Sequence, residues 1–132
     1  MREIRFRGRD KINSEWIYGD LMHPHMQTDC EWMIIPVESI LSDAKFVDPQ
    51  TIGQYTGLED KYGIPIFEGD ILRMDTFNPD VCEVRFIEGA FCLQFPSAQY
   101  PADIHYIHHA DRPQATVIGN IYDNPELLEV KS

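Results

Sequence analysis

Five histidines fall in two short groups, and their spacing suggests the first chemistry to consider. His23 and His25 stand two apart, so on an extended chain both project to one side. In the run Asp103-Ile-His-Tyr-Ile-His-His, a strand would put Asp103, His105 and His109 on one face. Imidazoles and a carboxylate at such spacings ligate Zn²⁺ or another transition metal. His23, His25, Asp103, His105 and His109 are therefore a candidate metal set, provided the two groups meet in space. The plainer role for the same side chains is a polar surface or interface. Glu59-Asp60 and the pair Glu68 and Asp70 offer acid–base chemistry on paper. With 22 acidic residues in the chain, such pairs arise by chance, and nothing marks two of them as buried. The expected reading is a non-enzyme with no cofactor, ahead of a metal-dependent hydrolase.

Other chemistries lack their motifs. Ser14, Ser39, Ser42, Ser97 and Ser132 sit in no G-x-S-x-G elbow. Gly53, Gly57, Gly63 and Gly69 are too widely spaced for a phosphate-cradling loop, and they open strands or turns rather than a helix. Cys30, Cys82 and Cys92 form no CxxC pair, and their odd number suggests no disulfide framework. Cys82 and Cys92 flank a hairpin and read as buried free thiols.

The elements that must position these residues are short strands. Arg2 to Arg7 alternates, with Ile4 and Phe6 expected inward and Arg5 and Arg7 on the outer face. Trp16 to Leu21 completes a hairpin. Trp32 to Val37 is a further apolar run, Glu38 to Ala44 fits one helical turn, and Lys45 to Leu58 is extended. Asp60-Lys-Tyr-Gly63 and Glu68-Gly69-Asp70 are turns. Val81 to Phe86 and Phe91 to Phe95 make the clearest hairpin, around Glu88-Gly89. Ala115 to Tyr122 is a last strand. Asn124, Pro125 and Glu126 then read as the cap and first turn of a short closing helix. Short antiparallel strands without a long helical period indicate sheets or a small barrel.

Eleven basic against 22 acidic residues give a net charge of −11. That balance argues against duplex phosphates and against anionic membranes. No run approaches the roughly 18 apolar residues of a membrane span, and the basic N-terminus lacks the apolar stretch of a signal peptide. The expectation is a soluble, cytoplasmic protein. The charge is uneven: residues 1–11 carry +3 and the other 121 carry −14.

The stretch Thr51-Ile-Gly-Gln-Tyr-Thr-Gly-Leu-Glu-Asp-Lys-Tyr-Gly-Ile-Pro-Ile-Phe-Glu-Gly-Asp-Ile-Leu resembles the YopX family of phage and prophage proteins. So do Val117-Ile-Gly-Asn-Ile-Tyr-Asp-Asn-Pro-Glu-Leu-Leu, the N-terminal Met1-Arg-Glu-Ile-Arg-Phe-Arg-Gly-Arg-Asp-Lys and Tyr18-Gly-Asp-Leu. The resemblance implies a mostly β protein of uncharacterised function in a bacterial host cell, with an SH3-like small barrel in its C-terminal part. The chain is expected to divide into an N-terminal β region, 1–60, and an SH3-like barrel region, 61–132, with a loop-rich insert at 22–44 where this sequence departs from the family's usual pattern. The signature positions here are Gly53, Gln54, Tyr55, Thr56, Gly57, Gly63, Glu68, Gly69, Asp70, Gly119, Asn120, Asn124 and Pro125. Turn glycines and strand-end polar groups make a structural role the expected one. The functional alternative has Tyr55, Glu68 and Asp70 line a site.

Trp16, Trp32, Met22, Met26 and Met33 load the first quarter of the chain with apolar surface. With Arg5 and Arg7, the residues Trp16, Trp32 and Met33 are a candidate interface, since Met adapts to a partner and strand edges pair readily. The expected function is a non-enzymatic interaction or assembly protein that forms homo-oligomers, with a host or phage protein as another partner. An acidic effector mimicking nucleic acid is the alternative. Nucleic-acid binding through the basic first strand is the lesser one.

Overall fold

The computed structural model describes residues 3–23, 31–77, 80–96 and 105–129, with the side chains of residues 109 and 110 outside that set. The described chain is antiparallel β-structure joined by turns and short 3₁₀ segments. It divides into two compact units, Met1–Tyr55 and Thr56–Ser132.

In unit 1, β1 (Phe6–Asp10) pairs antiparallel with β2 (Trp16–Met22), placing Phe6 opposite Gly19 and Arg9 opposite Trp16. The Asp10 carboxylate accepts the Ile12 N–H at 2.8 Å and shapes the turn between them. β3 (Met33–Pro36) pairs with β2, Met22 opposite Met33. It also pairs with the start of β4 (Lys45–Glu59), after a 3₁₀ turn at Leu41–Asp43. β4 pairs in turn with β1, so the circuit of four strands closes on itself. Closure removes the free edges expected of a small sheet. The β1–β4 ladder shifts register between Arg7 and Arg9. There the Thr51 hydroxyl bridges the gap, accepting the Arg9 N–H at 2.8 Å and donating to the Asp48 carbonyl at 2.7 Å.

The interior of this circuit is small. Ile34 and Val47 fill it. A Cβ added at Gly8 would meet the Val47 Cβ at 3.0 Å, and one at Gly19 would lie 1.9 Å from the Ile35 carbonyl oxygen. The expected orientation of the first strand is corrected here. Ile4 precedes the paired residues and is exposed, whereas Arg7 is only 5% exposed. The cause is Trp16, which covers the odd-numbered face of β1. The Arg7 and Arg9 guanidinium carbons lie 4.7 and 5.1 Å from its ring centre. The indole offers a π-face to both cations while their aliphatic stems bury against the sheet.

In unit 2, β5 (Pro65–Phe67) pairs with β4. The remaining strands are β6 (Asp70–Met74), β7 (Val81–Ile87), β8 (Ala90–Gln94), β9 (His105–Tyr106) and β10 (Ala115–Asn120), with a 3₁₀ turn at His109–Gln114 before the last. They form one antiparallel sheet in the order β10-β6-β7-β8-β9. The β7–β8 hairpin turns on Glu88-Gly89, both at positive φ (50° and 84°). That is the type I′ geometry that suits the twist of paired strands. Ile66, Leu72, Met74, Cys82, Val84, Leu93 and Ala115 form the core. Cys92 stands opposite Arg85, and the Val84–Leu93 pair beside it faces the core. Cys82 therefore points to the other side of the sheet from Cys92, and both thiols are free and buried. Cys30 lies outside the described residues. Where a short closing helix was expected, a 3₁₀ turn stands at Pro125–Leu128. Asn124 does not cap it through its side chain, which turns back to accept the Asn120 N–H at 3.2 Å.

Candidate functional site

The two signature stretches, far apart in sequence, meet in unit 2. β6 and β10 place Asp70 opposite Asn120 and Ile71 opposite Gly119. Asp60 ties the junction on one side. One carboxylate oxygen accepts the Tyr62 and Ile64 N–H groups at 2.8 and 3.0 Å, holding its own turn. The other accepts the Val117 N–H of β10 at 3.0 Å. The Lys61 N–H donates to the Ala115 carbonyl. A side chain and a turn thus bond to the edge of β10 as a neighbouring strand would. Asp60 is 1% exposed, and burial of a carboxylate is tolerated because three amides satisfy it.

Asp70 does the same for the adjacent turn. Its carboxylate accepts the Phe67 N–H at 2.8 Å, closing Glu68-Gly69. Gly69, at φ 92°, donates to the Val84 carbonyl and accepts the Ile121 N–H. On the other stretch, Asn120 accepts the Tyr122 and Asp123 N–H groups through its side chain. The Asn124 amide lies so close over Gly119 that an added Cβ would stand 2.5 Å from its oxygen. The Thr56 hydroxyl donates to the Ile66 carbonyl at 2.8 Å and accepts the Leu58 N–H at 3.1 Å. Gly57, within β4, and Gly63, in the turn that Asp60 holds, both take positive φ. Pro125 opens the last 3₁₀ turn.

The remaining signature residues lie on β4. Gly53 and Tyr55 are buried there, and Gln54 is half-buried opposite Phe6. The Tyr55 N–H donates to the Arg5 carbonyl, and the Arg5 guanidinium sits 5.6 Å from the Tyr55 ring centre. Glu68 is half-buried beside Asp70. It contributes to raising the pKa of Glu83 on β7, whose main cause is loss of solvent, against the opposing pull of Arg85.

The histidine groups look different from their sequence spacing. His25 and Asp103 lie outside the described residues, as does the His109 side chain. His23 stacks on Trp32, ring centres 3.9 Å apart, and Met33 on the neighbouring strand faces Met22. The His105 Nε2 lies 3.2 Å from Asp111, which also accepts the His108 N–H at 2.8 Å. Phe77 packs edge-on to the His105 ring. Among the described residues, no three His, Cys, Asp or Glu side chains come together as a metal-holding group. Burial, with Asp111 nearby, pushes the Cys82 thiol up to about 12, away from the thiolate form that nucleophilic chemistry uses. Burial raises the Cys92 thiol as well.

The geometry gives central roles to Thr51, which the sequence reading did not single out, and to Asp60, which it offered only with Glu59 for acid–base chemistry and as a turn residue. Thr51 bridges the β1–β4 break, and Asp60 binds an amide 57 positions away. The only local signal for Asp60 was its turn with Gly63, which points to Asp60 bonding its own turn amides and says nothing of β10.

The chain matches a family model described as YopX protein over residues 5–129. It is 33% identical over 67 residues to the SPbeta prophage-derived uncharacterized protein YopX of Bacillus subtilis (strain 168). That match covers 48% of this chain and 50% of the relative, so the chain spans about half the length of that curated protein. Among solved structures, the crystal structure of protein EF1440 from Enterococcus faecalis superposes with a TM-score of 0.56 at 26% identity, covering 98% of this chain and all of that one. The crystal structure of protein yopX from Bacillus subtilis superposes with a TM-score of 0.54 over the full length of both chains, and at 19% identity it shows the fold alone. No helix among the described residues is long and apolar enough to cross a membrane. With the family model spanning nearly the whole of it and both signature stretches joined at one junction, the chain belongs to the YopX family.

Proposed function

We propose that this is a non-enzymatic interaction or assembly protein of prophage origin that acts in the bacterial cytoplasm by associating with further copies of itself. The observation that carries this reading is the use to which two carboxylates of the central stretch are put. Asp60 and Asp70 are buried and bonded to backbone amides. In that arrangement they hold turns and a strand edge and have no approach to a substrate. The signature then specifies a scaffold, and function falls to the surface that the scaffold presents. The meander of β6, β7 and β8, with a 3₁₀ turn before a last strand that returns to β6, supports reading unit 2 as an SH3-like barrel. Light scattering after size-exclusion chromatography tests the proposal. A discrete oligomer is expected, and a monomer at every soluble concentration overturns it.

A further inference from the structure

We draw no further inference here: the strongest candidate, the sheet face of unit 1 on which Arg7 and Arg9 lie beside Tyr18 and Trp16, carries none, because Asp20 and Asp48 on that face balance the two arginines and nothing in the structure shows what covers it.

Discussion

The two units solve one problem, a short chain with little room for a core, in different ways. Unit 1 closes its strands into a circuit, and among its described residues Ile34 and Val47 are the fully buried aliphatic side chains. Its opposite face is covered by Trp16 with two arginine cations upon it. Unit 2 keeps a linear strand order and gathers seven buried apolar residues into a cluster. It then quiets the edge of β10 with the carboxylate of Asp60. Closure satisfies backbone groups at the expense of interior volume and sends apolar side chains outward. A sheet of linear strand order retains its core and must answer its edges with side chains.

The sharpest way to break that contrast is Gly19→Ala. Its new methyl would press into the Ile35 carbonyl across β2 and β3, and the expected loss is about 4 kcal/mol, at the upper end for a point change. Both tryptophans, Trp16 and Trp32, lie in unit 1. Tryptophan fluorescence should therefore report the loss while amide protection on β6 and β7 persists. Loss of protection in both units at one denaturant concentration would show that the division has no thermodynamic meaning.

Leu93→Ala tests the other half. Leu93 is fully buried in the unit 2 cluster, and its truncation should cost about 3 kcal/mol through lost transfer energy and a cavity. The expected readout is faster amide exchange in β7 and β8 with tryptophan emission unchanged. A smaller step, Asp60→Asn, keeps the acceptor for the Tyr62 and Ile64 amides and turns an NH₂ group toward the Val117 N–H. Two facing donors should cost about 2 kcal/mol, read as a lower melting temperature and an exposed Val117 amide. An unchanged melting temperature would remove the carboxylate from its structural role and reopen a chemical one.

The mildest changes concern titration. The Glu83 carboxyl is raised mainly by loss of solvent. Its ionisation therefore weakens the folded state as pH rises through the raised value, and full stability is present below the ordinary carboxylate range. Glu83→Gln should stabilise the protein slightly at neutral pH, with the gain vanishing in acid. A melting profile that shows equal gain at pH 3 and pH 7 would contradict that cause. Cys82, with its thiol pushed up to about 12, should resist thiol reagents in the native state and react on unfolding. Its raised value also means stability is lost as pH climbs from the ordinary thiol range toward about 12.

Much of the local structure is legible in the residues. Alternation marks β7 and β8, Glu88-Gly89 marks their turn, and Gly57, Gly63 and Gly69 mark positions at positive φ. These are short-range consequences of backbone sterics and side-chain period, so a single sequence determines them. It also determined the YopX kinship, because the signature residues are those the turns require. Tertiary structure decided what depends on distant partners. Arg7 is buried because Trp16 on β2 covers its face of the sheet, and Ile4 is exposed because it precedes the paired residues of β1. Asp60 is structural because β10 folds beside it. Sequence spacing grouped the histidines, yet His23 and His105 stand with Trp32 and Asp111 respectively, partners that spacing cannot supply. Above all, only the folded chain shows four strands closing on themselves in unit 1. Strand pairing is blind to sequence distance, and closure, once made, dictates which apolar side chains are left facing out.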